Sequence, residues 1–153
     1  ASKTFGMTGW RLGFLFGPED LVRTCEALQS QILTGTSVVS QWAGVSAFSQ
    51  AERITPMIRS AMQERRDVFY GELERGLGVK LTRPSCAFYA FLPLSLFSKT
   101  KLNDIDLCAK LLKEAHVAAI PGSHFGRPDY VRMSFSERPE ELKEAVEVLV
   151  NWV

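Results

Sequence analysis

Over residues 19–32 the apolar side chains Leu21, Cys25, Leu28 and Ile32 recur every three or four positions, the period of an α-helix. Pro18 suits the first turn, and Glu19 and Asp20 follow it where the helix dipole favours carboxylates. The run Trp-Arg-Leu-Gly-Phe-Leu-Phe at 10–16 is almost wholly apolar and stops at Gly17-Pro18, which predicts a buried strand closed by a turn. Thr34-Gly35-Thr36-Ser37 breaks the helix, and a shorter helix is expected over 38–50, weakened by its Ser and Gly residues.

Residues 55–77 place Ile58, Met62, Phe69 and Leu73 along one stripe, with Arg59, Glu64, Arg66 and Glu74 mostly elsewhere, predicting a long amphipathic helix ended by Gly76 and Gly78. Residues 79–81 and 86–92 read as strands around the Arg83-Pro84-Ser85 turn, and 98–103 as a polar connection. Asp104 is the expected cap of a helix carrying Ile105, Cys108, Leu111, Leu112 and Ala115. Two short strands are expected at 117–120 and 130–135, separated by Pro121-Gly122-Ser123-His124-Phe125-Gly126. A last helix over 139–152, with Leu142, Ala145, Val146, Leu149 and Val150 on one face, takes Ser136 as its expected cap.

These elements place the chain in the α/β class, a mixed sheet covered by helices, with a division between 1–50 and 51–153. The second part has its own strands and helices, whereas the first has one strand and two helices, and a lone strand needs a sheet to join.

Composition narrows the function. The 153 residues carry 18 Lys plus Arg against 17 Asp plus Glu, a net charge of +1, which argues against a generic nucleic-acid or acidic-lipid binder. Arg53, Arg59, Arg65, Arg66 and Arg75 alternate with Glu52, Glu64, Asp67, Glu72 and Glu74, the pattern of a solvated helix face. Apolar stretches such as 87–93 are far below the roughly 20 residues that cross a bilayer, so no membrane span is expected. The scattered cysteines Cys25, Cys86 and Cys108 fit neither a disulfide framework nor a zinc site, and with two histidines no metal is expected. A reducing, cytoplasmic setting follows. The opening Ala1-Ser2-Lys3-Thr4 has neither methionine nor a signal pattern, so the chain is expected to be part of something longer.

The densest chemistry lies at residues 2–13, Ser-Lys-Thr-Phe-Gly-Met-Thr-Gly-Trp-Arg-Leu-Gly, where small residues surround one lysine and one arginine. A desolvated lysine has a lowered pKa and becomes a nucleophile toward an aldehyde, and a guanidinium fork suits a phosphate. Taken singly, Lys3 and Arg11 read equally well as surface charges between turn glycines. In 130–135 a period of two puts Val131, Met133 and Phe135 on one face and Arg132 on the other, most simply as a solvent-facing charge on an edge strand.

Residues 2–13 resemble the cofactor-lysine signature of the class I/II aminotransferases, pyridoxal-phosphate enzymes of fold type I. Residues 84–89, Pro-Ser-Cys-Ala-Phe-Tyr, are similar to that family's Pro-x-Gly-Ala-Phe-Tyr, with Cys86 in place of glycine. Residues 121–126 resemble its Pro-Gly-Ser-x-Phe-Gly loop, with His124 in the variable place, and Arg132-x-Ser134-Phe135 resembles its carboxylate-binding strand. The resemblance covers essentially the whole chain as the C-terminal portion of such an enzyme. It implies that residues 1–50 are a strand-helix remnant of the large pyridoxal-phosphate domain. Residues 51–153 would be the α+β small domain with its long connecting helix.

The resemblance further implies that Lys3 carries pyridoxal 5′-phosphate, is the catalytic residue and moves the proton at the substrate Cα, while Arg11 binds the cofactor phosphate. Arg132 would bind the substrate α-carboxylate. The implied activity is amino transfer between an amino acid and a 2-oxo acid by a homodimer, with this portion inactive alone. A β-elimination lyase of the same fold, or a non-catalytic structural or interaction domain, stays open. No Lys or Arg occurs between Arg23 and Arg53, and the resemblance puts 35–37 near the substrate side chain, so a neutral or aromatic amino donor is expected.

Overall fold

The computed structural model describes residues 1–97 and 101–153, so the polar connection expected over 98–103 lies partly outside the described residues. The chain separates into two compact units, Ala1–Ser60 and Ala61–Val153, with the division inside a helix. The boundary expected after residue 50 falls just before that helix.

In the first unit, α1 (Glu19–Ile32) and α2 (Val38–Ser49) follow the predicted periods, with Pro18 as the cap residue of α1. The strand expected over 10–16 does not form. Its cause is physical: a strand exists through its ladder, and the described residues of this unit contain no second strand to pair with. The run is not buried either, since Phe14, Leu15 and Phe16 are 56, 52 and 88% exposed. What fixes this segment is a small cluster of Met7, Leu12 and Ala47, with Ala1, Phe5 and Ala43 against it. Phe48 of α2 receives Phe5 and Phe14 edge-on at 4.9 and 5.3 Å, and Ser40 Oγ donates to the Trp10 carbonyl at 2.8 Å.

Helix α3 (Ala51–Leu77) begins before the predicted start and runs through Pro56 and Gly76. It stops at Gly78, whose φ of 66° leaves the helical region. Residues 79–81, expected as a strand, form none, and the second strand is shorter than expected: β1 is Tyr89–Pro93. Helix α4 (Asp104–Lys110) is capped by Asn103, whose side-chain oxygen accepts from Asp106 N at 2.8 Å, and not by Asp104, which occupies its first turn. β2 is reduced to Ile120–Pro121, β3 is Tyr130–Ser134 and α5 is Pro139–Trp152. The cap of α5 is Arg138, with Glu141 reaching back to its N–H, because Ser136 is turned toward Ser134.

The sheet order is β1-β3-β2 and both pairings are antiparallel, so the sheet is not mixed. β3 is central, which corrects the placement of Arg132 on an edge strand. The core of the second unit joins Phe69, Tyr70 and Leu73 of α3 to Ala90, Leu92, Val131, Met133 and Phe135 of the sheet region, Leu107 and Cys108 of α4, Leu111 just beyond it, and Leu142, Val146 and Leu149 of α5. Each fully buried large side chain adds roughly 1.5–3 kcal/mol. Burial also pushes the Tyr70 hydroxyl up to about 12.

Gly122 is buried where the chain enters the 121–126 loop, and a Cβ there would strike the backbone carbonyls of Arg127 and Tyr130. Gly122→Ala is therefore expected to cost about 1–3 kcal/mol, because the neighbouring atoms are backbone and yield little. Urea unfolding would show this as a lower midpoint at unchanged slope.

Candidate active site

Arg132 sits at the middle of the central strand, opposite Phe91 of β1 and Ile120 of β2. The alternation read from the sequence holds: Val131 and Met133 are buried beneath, and Arg132 is half-buried on the other face. Its guanidinium lies over the Tyr89 ring at 4.4 Å and over the Phe125 ring at 4.2 Å. Among the described residues no carboxylate lies within ion-pair distance of it. Ring faces attract the cation through their quadrupoles but accept no in-plane hydrogen bonds, so the fork keeps its donors for a carboxylate or phosphate.

The same face carries Phe91, stacked on Tyr130 at 4.8 Å and edge-on to Phe125 at 6.3 Å. Arg127 covers Tyr130 at 4.3 Å and is paired with Asp129 at 2.8 Å. Arg127 is thus committed to Asp129, unlike Arg132.

The 121–126 loop forms a short helical turn, Gly122–Phe125, closed by Gly126 N–H donating to the Ser123 carbonyl at 3.1 Å. His124 is an exposed loop residue, as read. Ser123 N–H donates to Asp104 Oδ2 at 2.8 Å. Asp104 is only 4% exposed, and bonds from the Ser123 side chain and backbone hold its carboxyl below the usual carboxylate range. A lowered pKa means stability present above the unfolded carboxyl's value and lost as pH falls through the folded one. Wild type should therefore lose stability relative to Asp104→Asn below about pH 4, and denaturation midpoints of the two at pH 7 and pH 3 would check it.

Cys86, standing where the resembled pattern has glycine, does not take the left-handed backbone; its neighbour Ala87 does, at φ 60°. The cysteine is therefore accommodated without strain of its own. Tyr89, Phe125, Ser123 and Asp104 were not singled out as site residues by the sequence, although Tyr89, Ser123 and Phe125 lie in recognised motifs.

Lys3 and Arg11 belong to the first unit and Arg132 to the second. Lys3 is exposed. Arg11 is exposed too, donates from Nη1 to the Thr8 carbonyl at 3.2 Å, and holds a left-handed backbone at φ 52°. A bulky residue at such a φ is uncommon and is found mostly where a local geometry is over-determined. The buried anchors Met7 and Leu12 flank it. Residues 2–11 thus offer an amine, a guanidinium and the hydroxyls of Ser2, Thr4 and Thr8 on one short turn-rich segment. That donor set fits an aldehyde bearing a phosphate group.

Comparison with known proteins gives the family. Residues 1–149 match the family described as aminotransferase class I and II. An aspartate aminotransferase of Pinus pinaster is 39% identical over 156 residues, covering 95% of this chain and 32% of that protein. The aspartate aminotransferase of Thermus thermophilus solved with maleate superposes with a TM-score of 0.83 at 32% identity, over 98% of this chain and 39% of that one. The aromatic aminotransferase of Pyrococcus horikoshii gives 0.83 at 32% identity, over 98% and 40%. The chain spans about a third of the length of the curated relatives it matches. With its residues matched almost end to end, the chain belongs to the class I and II aminotransferase family.

Proposed function

We propose that this chain is the C-terminal portion of a pyridoxal-phosphate aminotransferase that moves an amino group between an amino acid and a 2-oxo acid. Residues 1–50 would belong to the large cofactor-binding domain and 51–153 form the small domain. The observation that carries the reading is Arg132, a half-buried cation lying over two aromatic rings with, among the described residues, no carboxylate within ion-pair distance. A site built to receive the α-carboxylate shared by amino acids and 2-oxo acids requires such a group.

Bound pyridoxal phosphate would supply the electron sink that lets an amino acid give up its Cα proton. Lys3 Nζ would hold the cofactor's aldehyde carbon and would serve as the base at substrate Cα and then as the acid that returns the proton. Arg11 would neutralise the cofactor's phosphate by charge-assisted hydrogen bonds, with the neighbouring hydroxyls as further donors. Arg132 would pair with the α-carboxylate of the substrate through its guanidinium fork. The reading includes a homodimeric full-length enzyme in a reducing, cytoplasmic compartment. Free Cys25, Cys86 and Cys108 support that compartment, and no helix among the described residues is long and apolar enough to cross a membrane.

The donor is proposed to be neutral or aromatic, because residues 24–52 offer no cation for a second carboxylate. Incubating the full-length enzyme with ¹⁵N-labelled phenylalanine or aspartate and 2-oxoglutarate tests both points. Label in glutamate, faster from phenylalanine, is the expected outcome. Faster transfer from aspartate would overturn the donor assignment, and release of ammonia and pyruvate from a cysteine-type donor without transfer would replace transamination by β-elimination.

A further inference from the structure

A guanidinium selects a carboxylate only if its fork is held in orientation, and Arg132 reaches that orientation on a side chain with several rotatable bonds. One side of the clamp, Tyr89, is built into the sheet. The other, Phe125, is 45% exposed and hangs on the Gly122–Phe125 turn, so something must fix that turn. The turn closes on itself through Arg127 N–H to the Gly122 carbonyl at 2.9 Å, which shapes it without placing it. The sheet holds its entry, where Pro121 pairs with Val131, and the buried Asp104 holds the turn itself, its Oδ2 accepting from Ser123 N–H at 2.8 Å. Asp104 in turn is rigid, because its helix is sunk in the core through Leu107, with Cys108 beside it.

We propose that Asp104 is a positioning residue for Arg132: its carboxylate holds Ser123, the turn carries Phe125, and the Phe125 ring keeps the guanidinium aligned for an α-carboxylate. The inference rests on the transaminase reading above. It makes Phe125 a recognition element through its ring face and Asp104 one through its grip on the turn, although neither carboxylate nor ring need touch the substrate.

The test is steady-state kinetics on the full-length holoenzyme with Asp104→Ala, Asp104→Asn, Phe125→Leu and Phe125→Tyr. Loss of one ring contact is expected to raise KM for amino acid and 2-oxo acid about 3- to 30-fold in Phe125→Leu, with kcat much less affected. Asp104→Ala should show the same KM-weighted loss. Asp104→Asn keeps an acceptor for Ser123 N–H, and Phe125→Tyr keeps the ring face, so both should stay near wild type. A purely structural role would lower the folded fraction, reducing kcat in proportion and leaving KM unchanged, which would overturn the proposal. Phe125→Leu, at an exposed position, decides the matter if Asp104→Ala does not fold. Wild-type enzyme that transfers no amino group would sink the underlying reading and the positioning role together, whereas an active wild type with unchanged KM in Phe125→Leu would sink the positioning role alone.

Discussion

Lys3→Ala is expected to lower the rate of amino transfer by the full-length enzyme by at least about 10⁴-fold, the largest effect of any single change considered. On the proposed role two losses would combine in one substitution: the amine that would anchor the cofactor and the base that would remove the Cα proton. Lys3 is exposed and outside the buried cluster of Met7, Leu12 and Ala47, so the two apoproteins should unfold at the same denaturant midpoint. Rate loss without stability loss, measured on the same preparation, distinguishes a chemical role from a packing one. Added small primary amines should restore part of the rate, since they replace the base though not its placement.

Removing the guanidinium gives the second-largest effect. Arg132→Ala is expected to raise KM for both substrates about 100-fold or more, because it leaves their carboxylate desolvated and unpaired. Arg132→Lys should recover little of this, since an ammonium lacks the planar fork that the Tyr89 and Phe125 faces leave open at its edge. An amine substrate without an α-carboxylate supplies the control: its low rate should be indifferent to the substitution. Equal losses for both substrate types would show that Arg132 maintains the sheet and does not read the carboxylate.

What the sequence disclosed depends on how local the determining physics is. Helix α5 was legible to its ends, Pro139–Trp152, because a proline start and a sustained apolar stripe are both local signals. Its cap was not, since the cap position falls on Arg138, two residues beyond Ser136, and is closed by Glu141 reaching back to the Arg138 N–H. The run at 10–16 has the apolarity of a strand, but a strand also needs the sheet partner noted from the sequence, and the described residues of the first unit contain none.

Arg132 shows both sides at once. Its face followed from the period of two, yet its central position depends on β3 pairing with both β1 and β2, which only the folded topology reveals. Asp104 carries a capping residue's signature, but its partner Ser123 stands 19 residues away and takes it out of that role. The aromatic clamp was hidden for the same reason, as Tyr89, Phe125 and Arg132 come from two strands and a loop. Lys3 and Arg11 were found through the resemblance of residues 2–13 to a family signature, because spacing alone left them as possible surface charges.

The central claim is that Lys3 is the cofactor lysine, and chemical trapping tests it most directly. The full-length protein would be incubated with pyridoxal phosphate, reduced with borohydride and digested, and the modified lysine located by mass spectrometry beside a Lys3→Ala control. One pyridoxyl group per chain on the peptide containing Lys3, absent from the control, is the result predicted here. Labelling scattered over Lys80, Lys101, Lys110, Lys113 or Lys143, or unchanged in Lys3→Ala, would contradict it.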